Sequence, residues 1–448
     1  MIGDDKMQLK KFRKLNYRNN LIIVIFILLI IVLASVYLYK TYAIFTSNKQ
    51  FNVINGTVGD PGDIYFAYYV DGKITRSMPT QNTGYTLNEE KSECTNGVVA
   101  KWDNASWQFI GDYSNYNATD YTRTRCNLYF EKTSKIVSTS IGDIEVNTYT
   151  PDFSKSACDD STCESHEKGI YEILDDDGTS YYYRGSVENN YVKFAGFYWR
   201  IIRINGNGSI RVIYDGTVAH DNGSASTDRV YEQTVFNNSD ADNMYVGYEY
   251  ASGQVHGNGT MSAGAYSVIR MKINEFTNTK LAEYADYMDI SSGFCNDRAT
   301  LNEDTEVGTG TTISYYSGYM RIGLSHPSLK CDLQDYFIGT GVGLITADEV
   351  MLAGFSGGFI SGNFNYSKSS VNSYLCIGSG FWTMTPLGYY TPFKTGSHKG
   401  AMIYFVSKRG GDYFANYQFG LRPVINLKNT LKFTGDGTKN NPYIPDLN

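Results

Sequence analysis

WRIIRINGNGSIRVIY (Trp199–Tyr214) decides how this chain is read. Asn205-Gly206-Asn207-Gly208 supplies the positive φ angles that a tight hairpin needs, and Asn-Gly steps between two apolar runs are the strongest short-range hairpin signal. Trp199–Ile204 and Ser209–Tyr214 are therefore expected as adjacent antiparallel strands. Arg200 and Arg203 interrupt the alternation of the first strand, which leaves its register open. Just upstream, Tyr181–Arg184 and Tyr191–Phe194 read as strands of the same domain, which opens near Gly169.

Downstream, two helices are expected. Ala265–Phe276 places Ile269, Ile273 and Phe276 on one face. Ala347–Ala353 is preceded by Thr346 and carries Glu349, a capping box, and Gly354 stands where a left-handed cap would sit. Between them lies a long polar region, 289–340. The chain then returns to strands at Phe381–Met384, Met402–Val406, Val424–Leu427 and Tyr443–Ile444.

On the N-terminal side, Asp63–Val70 reads as a strand, Asp71-Gly72 as a turn and Ile74–Met78 as the return. Val98–Trp102, the turn Asp103–Ser106, Trp107–Ile110 and Cys126–Phe130 continue the pattern. Short strands at close spacing predict a small β-sandwich over 61–132, with Trp102 and Trp107 in its core. Residues 133–167 lack sustained periodicity, are rich in Ser, Thr, Asp and Lys, and are expected as a linker. Residues 168–448 form the second domain. The expected fold class is α+β, mostly β.

Leu21–Tyr39 (LIIVIFILLIIVLASVYLY) has no charge, proline or glycine. A helix of that length spans about 28 Å, roughly one hydrocarbon core. Lys6, Lys10, Lys11, Arg13, Lys14 and Arg18 precede it, so residues 1–20 are expected to stay cytoplasmic and the C-terminal side to face out. Residues 40–60 would be a stalk. The expectation is a single-pass cell-membrane protein with an extracellular C-terminal region. The alternative is a cleaved signal peptide, with Thr41-Tyr42-Ala43 as a small-x-small site. TYAIFTSN (Thr41–Asn48) also resembles the segment after the apolar core in camelysin-type and biofilm-fibre secreted proteins.

Composition agrees with export. The chain has 448 residues and a formal net charge of −7. Residues 1–40 contribute +5, so the remainder carries −12, which argues against a nucleic-acid partner. Seven cysteines fit an oxidising exterior. Nearness within domains pairs Cys94 with Cys126, Cys158 with Cys163 and Cys295 with Cys331, leaving Cys376; sequence alone allows other pairings. The 39 Tyr and 44 Gly suit either a recognition surface or a β-rich core.

Catalytic signatures are missing from the sequence. The five histidines include no i,i+4 pair and no HExxH, and there is no GxSxG or P-loop. Cys376 and His398 would have to meet in space to act as nucleophile and base. The chain is expected not to be an enzyme and to carry no cofactor. Asp175-Asp176-Asp177-Gly178 and Asn237–Asn243 are acidic turns without EF-hand spacing; a structural Ca²⁺ at either stays open. Gly380–Leu427 interleaves strands with Tyr/Asn-rich loops. Trp382, Tyr389, Tyr390, Phe393, Tyr413, Asn416 and Tyr417 are the candidate ligand-binding residues. Their alternative role is core, and for Trp382 core is the stronger expectation.

FWTMTP (Phe381–Pro386) followed by GLRPVINL (Gly420–Leu427) resembles a domain of unknown function repeated in surface proteins of gut Gram-positive bacteria. So do Tyr181–Gly216, FCNDRAT (Phe294–Thr300), GLITADEV (Gly343–Val350) and the ending GDGTKNNPYI. DIYFAYYVDGK, ECTNGVVAKWDNASW and CNLYF look like the β module that precedes that domain. The resemblance covers roughly residues 61–448. The order of helix, Trp-containing strand and terminal Gly-x-Arg-Pro strand is similar to the C-type-lectin-like fold of formylglycine-generating enzymes and retroelement variable proteins. That likeness implies a ligand face on the loops before the last strand, at Tyr389, Tyr390, Phe393, Tyr413, Asn416 and Tyr417. The chain has no EPN or WND sugar-and-calcium motif and no clear cysteine pair for formylglycine chemistry. The resulting expectation is a cell-surface adhesin or receptor for an extracellular protein or glycan; the alternative is a self-associating envelope or fibre component.

Overall fold

The Trp199–Tyr214 hairpin forms as its turn residues dictate. Phe197–Ile204 and Ile210–Gly216 pair antiparallel, with Ile204 opposite Ile210. The turn closes through Asn205 N–H to Ser209 O and Gly208 N–H to Asn205 O, both at 2.8 Å. Gly208 takes a φ of 84°, a state that costs glycine little. Register shifts occur between Tyr198 and Trp199 and between Ile201 and Arg203. The two arginines that interrupt the alternation are both buried. Arg200 donates to Asn190 Oδ1 (2.6 Å) and Val187 O (2.8 Å). Arg203 pairs with Asp175 at 2.9 Å and Glu349 at 3.0 Å. A strand covered on both faces has no polar side to show, so its sequence does not alternate.

The computed structural model describes residues 64–81, 85–117, 124–157, 168–250, 265–301, 310–331, 341–356, 373–390, 398–407 and 411–447, with short strands at 255–256, 259–260 and 337–338. The protein is mostly β with few helices. Leu21–Tyr39, Cys158, Cys163 and Phe393 lie outside the described residues. Among the described residues no helix is long and apolar enough to cross a membrane.

The hairpin sits inside a nine-stranded sheet. From one edge the order runs Val342–Gly343, Val424–Leu427, Ile210–Gly216, Phe197–Ile204, Thr179–Arg184, Gly169–Leu174, Gly142–Asn147 and Ser134–Thr139, with Tyr191–Phe194 also paired to Phe197–Ile204. Part of the expected linker is therefore sheet. Ser134–Thr139 and Gly142–Asn147 form a hairpin, and Val146 pairs in parallel with Ile170. Ser134–Thr139 is the edge strand and no residue of it is buried. An edge strand facing water needs little apolar patterning, which is why this one is hidden in a polar sequence.

A six-stranded sheet carries the C-terminal aromatics. Its order is Glu232–Val235, Gln418–Leu421, Phe381–Tyr390, Gly400–Val406 and Asp412–Phe414, with Ser314–Tyr315 paired to Phe381–Tyr390. The Phe381 strand runs six residues past its expected end at Met384. One apolar core extends from Trp199 and Phe276 to Trp382 and Phe405.

Both expected helices form. Val268–Phe276 starts after Ser267, whose side chain accepts the Arg270 N–H, and buries Ile269, Ile273 and Phe276. Ala265–Tyr266, placed by sequence in this helix, is a short strand. Ala347–Leu352 has the complete Thr346/Glu349 capping box, and Gly354 adopts a φ of 122°. Buried Arg184 donates to Met351 O and Leu352 O at the end of this helix, satisfying carbonyls that have no intrahelical partner. A third helix, Ser317–Gly323, arises in the polar region.

Among the described residues the N-terminal module has a five-stranded sheet and a two-stranded hairpin where two full sheets were expected. Tyr65–Val70 lies parallel to Arg125–Lys132, and Lys73–Thr75, Tyr85–Leu87 and Glu93–Cys94 complete it. The short Trp102–Asp103/Gln108–Phe109 hairpin brings Trp102 and Trp107 into a core with Leu128, Phe130 and Cys126. Trp102 meets Trp107 edge-on at 5.3 Å and Phe130 at 5.1 Å. Disulfides join Cys94 to Cys126 and Cys295 to Cys331, as the pairing by nearness expects.

Candidate functional site

The candidate ligand-binding residues divide between core and surface. Trp382 is fully buried. Its Nε1–H donates to Thr234 O at 3.0 Å, and Phe236 and Phe419 close on its ring at 5.7 and 4.9 Å. Tyr389 is 3 % exposed, and its hydroxyl donates to Ala241 O at 3.2 Å. Burial, followed by the Asp242 and Asp240 charges, pushes that hydroxyl's pKa up. Neither side chain presents an aromatic face to solvent: Trp382 takes the core role that was its stronger expectation, and Tyr389, expected on the ligand face, is corrected to core. The cause is the Phe381–Tyr390 strand itself: nine of its ten residues are buried, so adjacent positions on both faces are covered.

Tyr390, Tyr413, Asn416 and Tyr417 remain at the surface. Tyr390 is half-buried, and its ring lies 5.1 Å from Tyr315, which lies 4.7 Å from Tyr319. Tyr319 is 37 % exposed and comes from the Ser317–Gly323 helix. Tyr413 is half-buried with its ring 4.3 Å from Tyr417, which is 49 % exposed; Asn416 beside it is exposed. Burial first, then Tyr417, raises the Tyr413 hydroxyl pKa.

Strand pairing keeps these rings in two groups. Tyr390 pairs with Gly400, whereas Tyr413 pairs with Ile403, three positions on, so the two side chains leave opposite faces of the sheet. Gly400 is required by close approach: a Cβ there would stand 2.8 Å from Asp240 Oδ2 and 2.9 Å from the Phe414 ring. His398 packs edge-on to Phe414 at 4.7 Å, and its Nε2 lies 2.6 Å from Asp240 Oδ2. Lys399 holds Nζ 5.8 Å from the Tyr389 ring and donates to Thr311 O. The surface of this sheet thus offers aromatic rings in two patches, an exposed amide at Asn416, an imidazole at His398 and an ammonium at Lys399. Such groups bind by stacking and hydrogen bonding. Sequence reading missed Tyr315 and Tyr319, since nothing local marks the polar region as reaching this edge.

A second concavity lies at the hairpin turn. A cavity of about 520 Å³ is bounded by Asp175–Asp177, Ser291–Gly293, the Cys295–Cys331 disulfide and the start of the Ala347–Leu352 helix. Ion pairs build its walls. Glu349 meets Arg203 at 3.0 Å and Arg211 at 2.7 Å. Burial opposes ionisation of Glu349, but those two guanidiniums lower its pKa below the usual value. Burial lowers Arg211 to about 10, with Glu349 opposing. Arg321 bridges Asp297 at 2.6 Å and Asp348 at 3.0 Å. Among the described residues no three His, Cys, Asp or Glu side chains converge as a metal site. Of the two acidic turns, Asp175–Gly178 forms this wall. Asn237–Asn243 holds the Asp240 that meets His398.

The chain matches no protein-family profile, no curated protein and no solved structure.

Proposed function

We propose that this protein is a membrane-anchored cell-surface binding protein, an adhesin or receptor. Its mostly-β exterior would present surface tyrosines to an extracellular protein or glycan. The observation that carries the reading is a pair of surface tyrosine patches, Tyr390 with Tyr315 and Tyr319 and Tyr413 with Tyr417, in which Tyr319 and Tyr417 are each more than a third exposed. Tyrosine gives contact area at low entropy cost, so such patches suit recognition. Leu21–Tyr39 supports the anchor, and the Cys94–Cys126 and Cys295–Cys331 disulfides support an oxidising exterior. The succession of the Val268–Phe276 helix, the Trp382 strand and the Gly420-Leu421-Arg422-Pro423 strand supports a C-type-lectin-like fold for residues 168–448.

The test is a binding screen of the full-length protein in detergent micelles against glycans, peptidoglycan and extracellular proteins. Changing Tyr319 and Tyr417 together to Ala is expected to weaken a captured ligand at least about tenfold, with an unchanged melting temperature. Capture that survives both substitutions refutes the tyrosine patches as binding faces. Concentration-dependent self-assembly without capture favours the structural alternative.

A further inference from the structure

We propose that Ser134–Thr139, the free edge of the nine-stranded sheet, pairs antiparallel with the same strand of a second copy of this chain. The inference does not rest on what the tyrosine patches bind.

The first observation is an open edge that lacks the devices which usually close one. Ser134–Thr139 pairs with Gly142–Asn147 on one side and, among the described residues, with no strand on the other. It has six residues in continuous register, with no proline and no bulge. Its single charge does not guard it. Lys135 leans back across the sheet, with Nζ 2.6 Å from Glu172 Oε2 on the Gly169–Leu174 strand. The other polar side chains also turn toward their own hairpin. Ser134 Oγ donates to Glu145 at 2.5 Å, Ser138 Oγ to Asp143 at 2.6 Å and Thr139 Oγ1 to Gly142 O at 2.7 Å. Val137 packs against the core. Backbone and the 67 % exposed Ile136 are what remain to meet a partner.

The second observation is register. Thr148 N–H donates to Thr133 O at 3.0 Å, so the main-chain groups of Thr133 face the partner strand. An antiparallel ladder alternates, so Lys135, Val137 and Thr139 also face Gly142–Asn147, and the N–H and C=O groups of Ser134, Ile136 and Ser138 point outward. Among the described residues none of these outward groups has a main-chain partner. A twofold axis at Ile136 satisfies all of them together. Ser134 then stands opposite Ser138 of the second copy, Ile136 stands opposite its own counterpart, and every outward N–H meets an outward carbonyl. Lys135 falls opposite Val137, so no like charges face each other across the seam. The two exposed Ile136 side chains cover one another. Strand addition of this kind takes its affinity from main-chain hydrogen bonds, and a single short edge places it among the weak interfaces. The contact is isologous and closes at two copies, unlike open-ended fibre growth.

The experiment is sedimentation equilibrium of the full-length protein in density-matched nonionic detergent. The mean mass is expected to rise from one chain to two between about 1 and 100 µM. Ile136→Pro removes an N–H that the hairpin ladder does not use, so the fold should persist while association weakens at least about tenfold. Ile136→Lys sets two ammonium groups face to face and should act in the same direction. In a Cys376→Ser background, oxidation should cross-link Ile136→Cys at least about ten times faster than Ser138→Cys, because position 136 alone stands opposite itself within disulfide reach. A wild type that stays at one chain up to about 100 µM overturns the proposal. So does association undiminished in both variants, growth beyond two chains, or equal cross-linking at the two positions.

Discussion

Replacing Asp215 with Asn removes one negative charge from a place where two buried cations share it. Asp215 closes the Ile210–Gly216 strand, and its Oδ1 accepts from Arg229 Nε at 2.9 Å and Arg422 Nη2 at 2.8 Å. Its Oδ2 accepts from Arg229 Nη2 at 3.2 Å. All three side chains are buried. Burial already pushes Arg422 down to about 9, with Asp215 opposing and the Arg229 and Arg200 charges adding to the effect. Asn keeps the shape of Asp, so packing is preserved and the loss is electrostatic. Breaking one buried pair costs about 3–5 kcal/mol, and two guanidiniums on one carboxylate place this case toward the upper end. Unfolding of Ile64–Asn448 carries about 0.8 kcal/mol/K of entropy at about 2.1 cal/mol/K per residue, so the melting temperature should fall by about 4–6 °C. Differential scanning calorimetry of wild type and variant in the same micelles measures it. A drop below about 1 °C would refute the reasoning, because it would mean that the guanidiniums find water or other acceptors once the charge is gone.

Other outcomes follow from the same contacts. Trp382→Phe strands the Thr234 carbonyl and opens space, and should lower stability by about 2–3 kcal/mol in urea titration; a surface role for Trp382 would leave the midpoint unmoved. Burial would raise the Asp228 carboxyl, but hydrogen bonds from Ser226, His220 and the Thr217 N–H outweigh it and hold the pKa at about 2. A depressed carboxyl stabilises the fold above its unfolded value and loses that contribution as pH falls through its native value. The stability gap between wild type and Asp228→Asn should therefore close between about pH 4 and pH 2, and a gap persisting at pH 2 would contradict the assignment. Serine at both Cys94 and Cys126, which are 32 residues apart, should destabilise the N-terminal module by about 3–4 kcal/mol in the chain-entropy account, read by denaturant titration against the oxidised protein.

Local chemistry was legible without coordinates. The Asn-Gly turn, the Thr346/Glu349 capping box and the apolar face of Ile269, Ile273 and Phe276 each act within about one or two turns of chain, and each formed where expected. Two cysteine pairings followed from nearness alone. The five-stranded sheet of the N-terminal module, the Ser134–Asn147 hairpin and the Ser317–Gly323 helix were not legible. Their residues take structure from neighbours distant in sequence, and their own patterns are weak.

The amino-acid order by itself determined the mostly-β class, the central hairpin, the capped helices and two disulfides, because turn angles, caps and nearby thiols are short-range properties. Tertiary structure decided which aromatics are core and which reach the surface. Trp382 and Tyr389 sit in a strand covered on both faces, whereas Tyr390 and Tyr417 do not have that cover. It also assembled the charged cleft, since Asp175, Arg203, Arg321 and Glu349 meet only when several loops and strands fold together. A buried ion pair is a relation between distant positions, and a linear pattern carries no record of it.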